Sequence, residues 1–455
     1  MGAAAESSWA PGLEPLLPDE EPLELLFRQR DEDFVVHELP AVEPEGEGEH
    51  LWVEVEKRGF GTPELLGRVR RTFGLEGRDI GYAGRKDARA VTRQWLSLRG
   101  VDEARLAELE APDLQVLRAR PHRRKLRLGQ LLGNRFDLVL RGPDASDRDR
   151  LLQRLEPFLE RGLPNAFGPQ RFGRDGRAWE RGRELLTGGA AEYLRAWTDP
   201  ATRPPSSAVE ELHAALCKEE RGAWRRCAAL VPRLPADLRP LARQMARRPG
   251  DWRSALRALD PATLRFHLSA WQSRVFNRLL GLRGERYDRP LAGDLCTLAE
   301  GRSLFAVGPG EDLLSLEQRA RAGEVSPTGP LPGSEVPWAE GEPGELERAA
   351  VAAEELPEGR EAAFDVAARA RLRLPGTRRP LRVPIQDPVV APLGPEDPRG
   401  GLRLTFSLPP GSFATALLFQ WTHGWGPGPE GPADRPPAED SGRTQGDPGP
   451  ALQSR

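Results

Sequence analysis

The stretch GYAGRKDARAVTRQWLSL, residues 81–98, sets a charged turn between two strand-like pieces. Short strands are predicted at 78–83 and 94–98, and Gly81 and Gly84 flank the turn between them. Arg85, Lys86 and Arg89 crowd onto that turn around one carboxylate, Asp87. Neighbouring cations favour the ionised form of a carboxylate, which can then serve as nucleophile or base. A surface turn with an ordinary exposed ion pair explains the same pattern, and charge alone leaves both readings open.

On the N-terminal side, Leu51, Val53 and Val55 alternate with Trp52, Glu54 and Glu56, as in a half-buried strand. A helix is predicted from Pro63 to Phe73, with Thr62 as its N-cap. Further strands fall at 113–118 and 135–140, and Asp144 can cap a helix running to about Arg161. The segment 195–260 is helical in tendency, and 261–283 is the strongest helix, capped by Asp260 and opened by Pro261. Helices at 311–322 and 345–370 follow, with a Pro/Gly-rich loop around 327–344 between them. Strand character returns at 402–408. Residues 1–24 and 421–455 read as a disordered leader and tail. This order predicts an α+β domain, largely antiparallel, interrupted by an insertion. Residues 25–161 and 376–420 form the domain, and 162–375 the insertion.

The chain has 455 residues, 66 Lys+Arg against 69 Asp+Glu, and a formal charge of −3. A total near zero argues against a polyanionic partner, but the charge is segregated. Residues 31–56 carry ten acids and no Lys or Arg, whereas 118–127 carry six bases and no acid. Only four lysines occur against 62 arginines, so a lone arginine carries little weight. No apolar run approaches a membrane span, and no basic-then-apolar leader resembles a signal peptide. Three cysteines and six scattered histidines fit neither a disulfide framework nor a metal site. No nucleotide-binding glycine motif and no GxSxG elbow appears. These features suit a cytoplasmic protein.

Three more segments could carry chemistry. HRRKLRLGQLLGNRFDLVL (122–140) runs from basic residues through Gly-flanked Asn134 to Phe136 on a strand. Such residues contact phosphates, base edges and base faces, but a solvated loop before a core strand looks the same. GLPNAFGPQRFGRDGRAWERG (162–182) offers Asn165, Phe167, Gln170 and Phe172, the types used for splayed bases, or only a boundary loop. LPPGSFATALL (408–418) ends a strand and opens a short helix, with Ser412 as cap and Phe413 in the first turn.

Together these segments resemble the TruD family of tRNA pseudouridine synthases. EDFVVHELP (32–40) and GEGEHLWVEVEKRG (46–59) are similar to its N-terminal signature, and GYAGRKDARAVTRQ (81–94) to its catalytic motif. KLRLGQLLGNRF, GLPNAFGPQRFG, LSAWQSRVFNRLL, TGPLPG and PPGSFAT follow in family order, so the resemblance spans about residues 25–418. It implies a pseudouridine-synthase α+β fold with an inserted α/β TRUD domain. It also implies isomerisation of a flipped-out tRNA uridine, uridine-13, without cofactor or metal. A monomer is expected, but the sequence does not give the oligomeric state. By the same resemblance Asp87 is catalytic, and Phe34, Asn134, Phe413, Arg28 and Lys86 bind substrate or support Asp87. After Ala416 the chain reads LLFQWTHGWGPGPEG where the family continues a helix. That change is expected to loosen Phe413. It leaves a catalytically weakened RNA-binding or tRNA-folding protein of the same fold as the alternative.

Overall fold

The computed structural model describes residues 12–13, 15–16, 21–142, 147–173, 175–187, 189–218, 221–298, 303–356, 372–394, 397 and 400–423. Asp144, most of the expected leader, the 357–370 part of the expected 345–370 helix and the tail from 424 lie outside the described residues.

The chain opens with β1 (Phe34–Pro40), β2 (His50–Arg58), α1 (Thr62–Phe73), β3 (Ile80–Tyr82), β4 (Val91–Arg99), β5 (Leu114–His122), β6 (Leu131–Leu140) and α2 (Arg148–Arg161). A helical run follows a short β7 (Leu163–Pro164): α3 (Ala178–Leu186), α4 (Ala190–Thr198), α5 (Ser207–Lys218), α6 (Arg221–Leu230), α7 (Arg239–Arg247), α8 (Trp252–Arg257) and α9 (Pro261–Arg283). Then come β8 (Leu295–Leu298), β9 (Leu304–Ala306), α10 (Leu313–Arg321), β10 (Val325–Leu331), α11 (Gly341–Ala352) and β11 (Thr377–Pro380). The described chain closes with β12 (Arg382–Val383), β13 (Gln386–Pro392), β14 (Leu402–Leu408) and α12 (Ala414–Thr422).

Early and late strands share one eight-stranded sheet of order β13-β14-β6-β1-β4-β2-β5, with β3 on β4. Among the described strands only β1 and β4 pair in parallel. The middle of the chain supplies the helices α3–α9 and a four-stranded sheet, β11-β10-β8-β9. This is the mixed, largely antiparallel α+β fold that the sequence predicts.

Because side chains alternate across a strand, register fixes which residues share a face. Val36 lies opposite Phe136 and Thr92, Glu38 opposite Asn134, Lys57 opposite Thr92, and Val53 opposite Leu96. Over β2 and β4 that face is covered by Leu65, Val69 and Phe73 of α1. Over β1, β6 and β14 it is covered by Leu151 and Leu155 of α2 and by α12. Residues 83–90 cross the seam between these two layers.

Several local expectations need correction. Gly61, not Thr62, caps α1, because the Thr62 hydroxyl is taken up by the crossing loop. Val325–Leu331 is a strand and not part of a loop, despite Pro327 and Pro330, since it pairs with β8 and β11. Phe413, not Ser412, holds the N-cap position of α12. Within the expected leader, Leu13, Leu16 and Leu23 are buried, and the Leu23 N–H donates to Trp421 O at 2.8 Å. The divergent stretch after Ala416 is helical to Thr422. Its Leu417, Leu418, Phe419 and Trp421 are at most 1% exposed. Burial of a Leu or Phe side chain contributes about 1.5–3 kcal/mol, which holds the end of the helix in place.

Candidate active site

The loop 83–90 is fixed from beneath by two buried lysines. Lys57, on the shared face of β2, is 0% exposed; its ammonium donates to Asp87 O at 2.9 Å and to Phe60 O. Both acceptors are backbone carbonyls. Burial lowers the Lys57 pKa from 10.5 to about 8, against the opposing pull of the nearby Asp87 carboxylate. Lys86 pairs with Glu38 at 2.5 Å, the side chains 4% and 1% exposed. The other Glu38 oxygen accepts from the Trp95 N–H, and the Lys86 N–H donates to Thr62 Oγ1 at 2.8 Å. Gly81 lets the chain pass here, since a Cβ would sit 2.2 Å from Leu126 O.

With its backbone held, the loop leaves the Asp87 side chain about one-third exposed. Arg28 Nη2 donates to Asp87 Oδ2 at 2.9 Å. Arg28 has φ of +55°, an uncommon backbone for a residue with a Cβ. Its guanidinium lies 3.7 Å from the centroid of the Phe34 ring. Burial disfavours the Arg28 charge, and Asp87 is the main influence opposing that. Two buried atoms here have no hydrogen-bond partner among the described residues, Arg28 Nε and Asn134 Oδ1. An unpaired buried polar atom costs about 1–3 kcal/mol and marks a place where a ligand can form the bond.

Asn134 also pairs in register with Leu408, five residues before Phe413. The Phe413 ring is 5.8 Å from that of Phe167. Among the described residues, no group of three or more His, Cys, Asp or Glu side chains could hold a metal ion. No helix there is long and apolar enough to cross a membrane.

The family model for tRNA pseudouridine synthase D (TruD) matches residues 11–420. This chain belongs to the TruD family. The tRNA pseudouridine synthase D of Geobacter sulfurreducens is 40% identical over 398 residues, covering 86% of this chain and 92% of that protein. The one from Chromohalobacter salexigens is 35% identical over 399 residues, covering 86% and 91%. A crystal structure assigned as a tRNA pseudouridine synthase D of Methanosarcina mazei superposes with a TM-score of 0.69 at 24% identity. It covers 91% of this chain and 95% of that one.

In this TruD-family chain Arg28 lies between Phe34 and Asp87 and touches both, and Asn134 lies one strand over from Glu38. Phe34 and Lys86, expected to touch substrate, are 2% and 9% exposed. The first lies under Arg28 and the second is engaged with Glu38. Asn165, Phe167 and Phe172 are also buried, at 4%, 4% and 0%. Sequence reasoning missed Lys57 and Glu38. Neither stands in a motif of its own, and each is recognised only by its contact with the crossing loop.

Proposed function

We propose that this chain converts a uridine of tRNA, uridine-13, to pseudouridine, with Asp87 as the catalytic residue. The observation that carries the reading is the Asp87 carboxylate, held on a loop clamped from below and paired above with Arg28. The C1′–N1 bond breaks, the uracil turns, and a C1′–C5 bond forms; C5 loses its proton and N1 gains one. Asp87 either attacks C1′ or removes the C2′ proton. Asn134 Oδ1, lacking an internal donor, accepts from the uracil N3–H. Phe413 lines the base, and Arg28, braced on Phe34, orients the carboxylate.

Reaching C1′ in a stem requires flipping the nucleotide, which costs a few kcal/mol. The insertion, residues 162–375, closes over the RNA against the 25–161 and 376–420 domain. Exposed Arg120, Arg124 and Arg127, none paired with a carboxylate among the described residues, supply phosphate contacts. The alternative, a binding-only protein, draws on the altered sequence after Ala416, and as far as Thr422 that stretch is a buried helix.

The test is Asp87→Asn, assayed for pseudouridine formation on a tRNA transcript. A loss of about 10²–10⁴-fold with tRNA affinity retained is expected. Wild-type turnover in the variant would refute the assignment.

A further inference from the structure

Away from Asp87, two arginines lie side by side without a carboxylate. Arg171 and Arg379 are partly buried, and neither has an ion-pair partner among the described residues. Both pack on Phe167, with guanidinium carbons 5.5 Å and 4.2 Å from its ring centroid. Arg379 donates through Nε to Asn165 O at 3.0 Å, and through Nη2 to Asn165 Oδ1 and to Gly411 O. Its Nη1 has no acceptor among the described residues. Arg171 donates only through Nε, to Ser273 Oγ at 3.1 Å, and both its Nη atoms are unused there. None of these three Nη atoms is sealed from solvent. Burial disfavours the charge on both residues, and the Arg171 charge adds to the penalty on Arg379. An anion between them would relieve it.

The start of α12 is beside this pair. Gly411, which binds Arg379, precedes the helix by three residues, and no side chain caps the first turn. The uncapped N–H groups and helix dipole there favour an anion. Thr415, in that turn, is 1% exposed, and its hydroxyl has no partner among the described residues. It abuts the segment bearing Arg171, for a Cβ on Gly168 would lie 2.1 Å from Thr415 Oγ1.

We propose that Arg171, Arg379 and the first turn of α12 seat one RNA backbone phosphate next to the nucleotide at Phe413. The inference rests on the RNA reading above and adds a contact to it. A planar guanidinium pair with a helix N-terminus matches a tetrahedral dianion or phosphodiester better than any neutral group. The phosphate positions the nucleotide without reading its base.

Single neutral methylphosphonate linkages placed in turn around the target uridine of a tRNA test this by equilibrium filter binding. For the wild-type protein one linkage should weaken binding by about tenfold. Arg171→Gln should bind unmodified tRNA more weakly by a similar factor and be indifferent to that linkage. Its slope of log affinity against log salt should shrink by about 0.7–0.9. Arg171→Lys, which keeps the charge, should remain sensitive to it, separating lost charge from lost packing. An Arg171→Gln protein as sensitive to the linkage as wild type would overturn the proposal. So would a seat that binds inorganic phosphate while no linkage matters, which would assign it to free phosphate. Binding is read without turnover, so failure here and failure of Asp87→Asn are separable.

Discussion

The segments 83–90 and 162–173 look alike as sequence. Each is a glycine-containing turn that carries arginine and leads toward a regular element. In the fold they are inverted. Residues 83–90 send their backbone down to Lys57 and the Lys86 side chain to Glu38, and leave the Asp87 carboxylate outside. Residues 162–173 turn Asn165, Phe167 and Phe172 inward and leave chiefly Arg171 with unused donors. A motif's composition does not show which of its groups will be spent internally. The hydrogen-bond partners show it, and they come from residues distant in sequence.

The comparison implies that the underside of 83–90 supports position and stability, and leaves Asp87 free for the chemistry proposed for it. Lys86→Met should be the sharpest test. It leaves the Glu38 carboxylate, 1% exposed at its side chain, without its cation. Removing one partner of a buried pair costs about 3–5 kcal/mol, whereas replacing both is often near neutral. Urea unfolding should show that loss for Lys86→Met and recovery of most of it in the Lys86→Met, Glu38→Leu double variant. A loss below about 1 kcal/mol in the single variant would mean that the pair does not hold the loop.

Lys57 sharpens the same point through pH. Its folded-state pKa, about 8, is below the ordinary 10.5, so the unfolded chain binds the proton more tightly. Stability from this group therefore rises as pH increases from about 8 to about 10.5, as the cost of a buried charge is relieved. Below pH 8 both states are protonated and the cost is constant. Relative to Lys57→Met, the wild-type protein should gain up to about 3 kcal/mol across that window, measured by denaturant unfolding at each pH. A pH-independent difference would mean that the ammonium is not desolvated. A guanidinium in place of this ammonium does not titrate there, so a Lys57→Arg protein should lack the trend.

Much of the sheet was legible because period-two alternation at 51–56 and 402–408 is a local signal. Both stretches are strands. The strand β10 was not legible, since Pro327 and Pro330 read locally as breakers. It forms because its partners, 295–298 and 377–380, are supplied from about 30 and 50 residues away. The site divides in the same way. Asp87 and its cationic neighbours stand together in the chain, and Asn134 sits in a recognisable motif. Lys57, Glu38 and Arg379 carry no local mark, because what distinguishes them is burial and the identity of distant partners. The acidic stretch near 43–54 shows this in charge: Arg118 pairs with Glu43 and Glu54, and Arg123 with Glu45 and Glu47. The densest basic run is thus partly neutralised, while two scattered arginines, Arg171 and Arg379, are not.

The smallest effect belongs to Asn165, and it separates the two segments most directly. Its Nδ2 donates to Pro380 O at 3.0 Å, its Oδ1 accepts from Arg379, and its N–H donates to Leu381 O at 2.8 Å. Asn165→Ala removes the two side-chain bonds and leaves the Pro380 carbonyl and one Arg379 donor without them, at about 1–3 kcal/mol. Thermal unfolding should show that loss, with turnover per folded molecule retained. Asp87→Asn should do the reverse, abolishing most turnover and lowering stability only by the part-exposed Arg28 pair, about 1 kcal/mol or less. Asn165→Asp is the finer variant. It keeps the size of the side chain but places a carboxylate on Arg379, which would cancel a charge that wild-type Asn165 leaves available. If 162–173 acts only as a joint, Asn165→Ala and Asn165→Asp should bind tRNA equally well. If the joint also holds Arg379 ready for an anion, Asn165→Asp should bind more weakly than Asn165→Ala, and the gap should narrow as salt is raised.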